Sequence, residues 1–261
     1  MNSDTCLDQR PAINNGASDT TPPADIAALT APFPGPLLVT LAPEEAPAGT
    51  VRQLTDRGVI VFAGHSEASF ADMRAAERDG LRGATHLFNA MSQVLGREPG
   101  VAGSVLGSGS LYAGIIADGH HVHWNNVALA LRLMPDRLCL VTDAMCTLAG
   151  TRQEFVMHGE RILLADGRLT NAGGTLAGAH VAMDESIRNI LCRELAPPAQ
   201  VVRTASRNPA AALGLADHLG SVLPGQIATC STFDEGWRAT GVIRCPADPT
   251  GPAKRKYQQW K

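Results

Sequence analysis

The sequence predicts an α/β fold in which short buried parallel strands alternate with helices, joined to a smaller β module. Three observations carry that prediction. Short, continuous apolar runs recur through the first half of the chain, as strands buried on both faces require. Segments with helical apolar spacing lie between several of them. After residue 150 the texture changes to strand-like runs broken by Asp-Gly and Gly-Gly turns, a hairpin signature.

Taken in order, residues 1–36 hold six prolines and little periodicity. PPADIAALTAPFPGP reads as neither a packed helix nor a central strand, because proline fixes φ and removes a donor. This segment is expected to be disordered or loosely draped. The predicted strands are LLVTLA (37–42), VIVFAG (59–64), ATHLF (84–88), AGIIAD (113–118) and LCLVTDA (138–144). The helices between them are TVRQLTDRG, ending in a glycine stop, SFADMRAAERDG, opening on a serine cap, and WNNVALALRLMPD, ending before proline. Right-handed crossovers would curl such a sheet into a barrel or a doubly wound layer. EFVMHGERILLADGRLTNAGGTLAG follows as hairpins, then two helical stretches, HVAMDESIRNILCREL and QVVRTASRNPAAALGL. GSVLPGQIATCSTFDEGWRATGVI returns to strand and turn character. The expected organisation is an α/β part over 37–215 with β elements near 151–178, a C-terminal β part over 216–245, and a solvated basic tail over 246–261.

Composition narrows the function class. With 261 residues, 44% hydrophobic and 18% charged, the chain can bury a sizeable core. A formal net charge of -3 supplies no global basic field, so nucleic acid is not an expected partner. No apolar run approaches the ~20 residues of a membrane helix, and MNSDTCLDQR lacks the layout of a secretion signal. A cytoplasmic protein is expected. The six cysteines show no CxxC spacing, so they read as reduced thiols, with Cys139 in the core.

The chemistry sits at the strand ends. VIVFAG runs into His65, ATHLF carries His86, AGIIAD leads into Gly119-His120-His121-Val122-His123, and LCLVT ends in Asp143. In a (β/α) barrel these ends converge on one mouth, where catalytic side chains gather. Two imidazoles and a carboxylate there suit a divalent metal of the zinc or iron type, with a coordination position left for water. Taken singly, each residue also has a plainer reading. His65 and His86 would then be hydrogen-bonded core residues, Asp143 a helix N-cap, Asn89 a strand-end cap and Arg97 a surface ion pair.

The motifs AGHS (63–66), ATHLFNAM (84–91), GREPG (96–100), GIIADGHHVH (114–123) and LVTDAM (140–145) resemble the N-acetylglucosamine-6-phosphate deacetylase family of the amidohydrolase superfamily. GGTLAGAHVAMDESIRN (173–189), ASRNPAAALGL (205–215) and LGSVLPGQIA (219–228) continue the resemblance in order, over about residues 37 to 243. It implies a partial (β/α)8 TIM-type metal-dependent hydrolase barrel with a small β-sandwich module. It implies His65 and His86 as metal ligands and Asp143 as the aspartate that takes a proton from the attacking water and returns it to the leaving amine. His121 matches a substrate-binding histidine near the scissile carbonyl. Asn89 and Ala90 match contacts to the sugar phosphate, and Arg97 matches its phosphate-binding guanidinium. That clamp is completed across a dimer interface in the family, so a homodimer is implied. Leu176, Ala177 and Gly178 match the loop that closes over the sugar. His120 reads as a pocket-rim residue and His123 as structural, while His158, His180 and His218 have no assigned role.

The sequence also departs from the family. Its HLEGPF-type motif, which supplies a glutamate ligand, has only a faint echo without an acid in APFPGP (31–36), and the first barrel strands have no counterpart. A chain shortened on its N-terminal side is therefore expected. Glu44 or Glu45 is a weak substitute ligand, metal affinity should suffer, and a catalytically inactive remnant or an amidohydrolase of another amide are the alternatives.

Overall fold

The structure is a computed structural model and describes residues 23–31, 35–148, 150–157, 159–227 and 229–244. Most of the segment expected to be disordered, the basic tail, His158, Cys6 and Cys245 lie outside the described residues. The chain begins with α1 (Pro23–Leu29), then β1 (Leu38–Leu41), α2 (Thr50–Thr55), β2 (Ile60–Ala63), α3 (Phe70–Arg78), β3 (Gly83–Ala84), α4 (Gly100–Gly107), β4 (Tyr112–Ile115), α5 (Trp124–Leu133) and β5 (Leu138–Leu140). It continues through β6 (Glu154–Met157), β7 (Glu160–Ala165), β8 (Arg168–Thr170), β9 (Leu176–Ala179), α6 (Met183–Leu191), α7 (Pro198–Ala205), α8 (Arg207–Ala212), β10 (Thr229–Phe233) and β11 (Ala239–Arg244).

Strands β1 to β5 form one parallel sheet in sequential order, β1-β2-β3-β4-β5. That order decides between the two expected topologies. A doubly wound sheet reverses direction at a switch point, whereas sequential right-handed crossovers keep every helix on one face, as in a barrel wall. The outward residues Val61, Ala63, Ala84, Ala113, Ile115, Leu138 and Leu140 are buried in one cluster. The same cluster holds Leu54 of α2, Met73 of α3, Val105 of α4, Val127 of α5, Ile190 of α6 and Val201 of α7. The alternate residues Ile60, Phe62, Tyr112 and Cys139 face the other way and gather a smaller cluster with Ala212 of α8. Arg82 holds α8 there by donating to the carbonyls of Ala212 at 2.7 Å and Ala211 at 2.8 Å. Strands β6 to β9 form a four-stranded antiparallel sheet, and β10–β11 a separate hairpin. Asp166 and Gly167, both at positive φ, make the tight β7–β8 turn that Asp-Gly foretells.

Four sequence expectations are corrected. PPADIAALTAPFPGP does contain a helix, Pro23–Leu29, and Ile26 is buried in the main core. Pro23 opens that helix, a position where its missing N–H breaks no helical hydrogen bond. The strand expected over ATHLF is only Gly83–Ala84, because the chain turns sharply at His86. Helix α4 is an addition: GVAGSVLG is apolar all round and glycine-rich, so it shows no amphipathic period, and burial rather than propensity holds it. QVVRTASRNPAAALGL is two helices, broken at Ser206 ahead of Pro209, whose ring and missing N–H oppose a continuous helix.

Candidate active site

The sheet delivers His65, His86 and Asp143 at the C-terminal ends of β2, β3 and β5. All three have positive φ, at 50°, 28° and 49°, and Phe88 and Ala90 share that region at 76° and 44°. Left-handed backbone in non-glycine residues costs about 1–3 kcal/mol each and concentrates where function requires it. The strain turns these side chains off the strand direction into the mouth.

The two histidine loops are stitched together. The Ser66 N–H donates to the Ala90 carbonyl at 3.1 Å, and the Ser92 N–H to the Ser66 carbonyl at 3.0 Å. Glu44, beyond β1, takes the Ser66 hydroxyl at 2.6 Å and the Glu67 N–H at 2.5 Å. Both its oxygens buttress the loop bearing His65, which is a supporting role and not that of a substitute metal ligand. Gly64 lets the strands close in beside His65, since a Cβ there would lie 2.3 Å from the Thr85 side chain and 2.7 Å from that of Thr40.

The Nε2 atoms of His65 and His86 stand 3.1 Å apart. His86 Nδ1 lies 3.1 Å from the Asn89 carbonyl oxygen. A carbonyl only accepts, so Nδ1 carries the proton and the neutral ring turns a bare Nε2 toward His65. Burial holds His86 below its ordinary pKa, and repulsion from His65 adds to this, while nearby Asp143 works in the opposite direction. The ring is thereby kept in the form that donates a lone pair. Asn89 secures the turn by donating from Nδ2 to the carbonyls of His86 and Leu87 at 3.1 and 3.2 Å.

Asp143 caps no helix. Its carbonyl accepts from the Ala179 N–H at 2.8 Å, and Met145 N–H donates to the Ala179 carbonyl at 3.0 Å. This pairing brings β9 alongside the Asp143 segment. Leu176, Ala177 and Gly178 are therefore in a strand, a correction to the loop expected for them. Local hydrogen-bond demand explains the difference, because the antiparallel sheet and the Asp143 segment take up that backbone from either side. Gly178, at φ 78°, packs so tightly that a Cβ would sit 2.4 Å from Met145 Cγ.

His121 follows β4, between the strands bearing His86 and Asp143, and its ring is paired with Asp118. Arg97 is exposed on the loop joining β3 to α4, and Ala90 is exposed beside the histidine pair. Among the remaining histidines, His120 reaches the β7–β8 turn near Gly167, and His123 Nδ1 accepts the Asn125 N–H at the start of α5. His180 Nδ1 lies 3.0 Å from the Thr147 hydroxyl. Sequence reasoning passed over Asp118 and the bracing role of Glu44. An Asp before Gly in a tight turn was the available signal for the first, while the second depends on long-range packing.

The histidine pair has the spacing of two ligands on one metal ion. Two imidazole nitrogens on one tetrahedral zinc at about 2.05 Å lie roughly 3.3 Å apart, close to the 3.1 Å seen here. The donor chemistry fits, but a catalytic centre takes three protein ligands. Among the described residues no group of three or more His, Cys, Asp or Glu side chains is arranged to hold a metal ion.

The amidohydrolase family model matches residues 37–246. The chain belongs to the amidohydrolase family. It is 38% identical over 209 residues to N-acetylglucosamine-6-phosphate deacetylase of Haemophilus influenzae, over 78% of this chain and 54% of that protein. It is 35% identical over 200 residues to N-acetylgalactosamine-6-phosphate deacetylase of Escherichia coli O157:H7, over 76% of this chain and 53% of that protein. The crystal structure of the Pasteurella multocida N-acetylglucosamine-6-phosphate deacetylase superposes with a TM-score of 0.76 at 36% identity, over 79% of this chain and 55% of that one. A Mycobacterium smegmatis enzyme of that name, solved as a mutant in complex with N-acetyl-D-glucosamine-6-phosphate, gives 0.73 at 32% identity, over 79% and 56%. The amidohydrolase chain thus spans about half the length of the curated relatives it matches. Its five-stranded arc is part of the barrel of that fold, and its antiparallel sheets belong to the accompanying β module.

Proposed function

We propose that this amidohydrolase removes the acetyl group of N-acetylglucosamine 6-phosphate, releasing glucosamine 6-phosphate and acetate in amino-sugar catabolism. The observation that carries the reading is the pairing of His65 and His86 Nε2 at 3.1 Å on adjacent strand ends, with Asp143 on the same mouth. A divalent ion, zinc or iron by donor type, would be held by His65 and His86 and would supply Lewis acidity at the acetamide carbonyl. Asp143 accepts a proton from the attacking water and hands it to the departing amine, as general base and then general acid. His121 binds the substrate beside the scissile carbonyl, as a hydrogen-bonding imidazole. Arg97 pairs with the 6-phosphate, for which a guanidinium fork is suited. Asn89 and Ala90 contact the sugar phosphate, and the β9 residues Leu176, Ala177 and Gly178 border the sugar. The enzyme works in the cytoplasm as a homodimer, without nucleic acid or membrane partners. Among the described residues no helix is long and apolar enough to cross a membrane.

A second reading has its own support. The relative at 35% identity bears the name of the galactosamine epimer's deacetylase, so the 4-hydroxyl configuration is the point of choice. The decisive experiment measures acetate release from both sugar phosphates and from unphosphorylated N-acetylglucosamine, with zinc or ferrous ion. Release from the glucosamine phosphate, abolished by His65→Asn, is expected. Preference for the galactosamine phosphate moves the assignment to the second reading. No release with any divalent metal overturns the catalytic reading for this chain and leaves a binding remnant.

A further inference from the structure

Asp118 and His121 form a buried pair whose side chains are only 6% and 7% exposed. Asp118 Oδ2 lies 2.6 Å from His121 Nδ1. Its other oxygen accepts the N–H groups of His120 at 2.8 Å and His121 at 2.9 Å. One carboxylate thus fixes both the backbone of the turn and the ring that the turn carries. Gly119, at φ 79°, permits the curl. The Trp124 ring fills the space where a Cβ would stand 2.5 Å away, and the Arg193 guanidinium covers Trp124 at 4.0 Å from the ring centroid. The turn is therefore clamped from outside as well as hydrogen-bonded from within.

We propose that Asp118 is a positioning residue: it holds a proton on His121 Nδ1 and leaves Nε2 as the ring nitrogen that His121 offers to substrate. An ionised carboxylate only accepts, so Nδ1 must be the donor. The same placement is imposed on His86 by the Asn89 carbonyl. At His121 the acceptor carries a full charge, which gives a shorter and stronger bond. The inference rests on the proposed role of His121 at the substrate carbonyl, but the placement of the proton is independent of it.

The experiment uses the full chain labelled with 15N-histidine, read by long-range 1H–15N correlation. His121 is assigned by its loss in His121→Gln. A protonated, pyrrole-like Nδ1 is expected in the wild type. Asp118→Asn offers one oxygen to three donors. With that oxygen on the two amides, the carboxamide NH2 faces Nδ1 and moves the ring proton to Nε2, the wrong-tautomer effect known from Asp-His pairs. A pyridine-like Nδ1 in the wild type, or an unchanged tautomer in Asp118→Asn, overturns the proposal. The wild-type spectrum decides by itself if Asp118→Asn does not fold. In the acetate assay, Asp118→Asn should lower kcat/KM by roughly 10- to 100-fold, because Nε2 then carries the proton and no longer accepts from substrate. A wild-type chain that releases no acetate would refute the proposed function and leave the proton placement standing.

Discussion

His65 and His86 meet edge to face, with ring centroids 4.9 Å apart and planes inclined at 76°, so that their Nε2 atoms face one another across 3.1 Å. Either a proton or a cation must occupy the line between two such lone pairs. Titration of the metal-free chain with zinc, followed by calorimetry, should give one site. His65→Asn or His86→Asn should each weaken it at least tenfold, because each removes one of two converging donors. Equal affinity in the variants would place any bound metal elsewhere.

Asp143→Asn preserves the shape of the segment, since the pairing with β9 runs through the Asp143 carbonyl and the Met145 and Ala179 amides. It removes only the proton acceptor. Acetate release should fall by about 10²- to 10⁴-fold, the usual worth of a positioned acid–base group, with the urea midpoint nearly unchanged. Retained activity would take Asp143 out of the mechanism.

Gly64→Ala tests how tightly the mouth is built. The added Cβ would lie 2.3 Å from Thr85 Cγ2 and 2.7 Å from Thr40 Cγ2, so the two threonine side chains or the segments that carry them must shift. Overpacking of this sort costs about 1–3 kcal/mol, measurable as a lower urea midpoint. The spacing of the histidine pair should loosen with it, seen as weaker zinc binding in the same variant.

The Asp118 carboxyl is pushed up by burial, but hydrogen bonds from the His121 ring and from the His121 and His120 amides outweigh this and hold it below the usual carboxylate range. A depressed folded-state pKa stabilises the fold fully above the ordinary aspartate value of about 3.9. That stability is lost as pH falls through the lower folded value. The stability gap between wild type and Asp118→Asn should therefore be constant at neutral pH and shrink below about pH 4. Chemical denaturation at a series of pH values checks this.

Thiol reactivity should follow burial. Desolvation pushes the Cys139 thiol up to about 12, and its side chain is packed against Phe62 and Ala212. Cys146 and Cys192 are exposed. Brief iodoacetamide treatment of the native chain, read by peptide mass spectrometry, should label the exposed pair and spare Cys139 until the protein is unfolded.

Much of the site was legible because of how parallel strands are made. A strand buried on both faces is a short apolar run, so the polar residue that ends it stands out, and His65 and Asp143 were found that way. The reach of ATHLF was misjudged for the converse reason. Apolar content continues through Leu87 and Phe88, but regular strand geometry ends at Ala84 and the backbone turns to positive φ at His86. Helix α4 escaped notice because a helix buried all round leaves no amphipathic trace.

The sequence by itself determined the alternation of strands and helices, the hairpin turn at Asp166-Gly167, and which strand ends carry imidazole and carboxylate, since all of these are local properties of composition and spacing. Only the tertiary structure decided that the five strands lie in sequential order, that β9 pairs with the segment of Asp143, and that Asn89 and Asp118 dictate where two imidazoles keep their protons. It also decided the left-handed backbone at His65, His86 and Asp143. These features share one cause. Each depends on a hydrogen bond, or on strain held by packing between segments, whose energy appears only once distant parts of the chain are brought together.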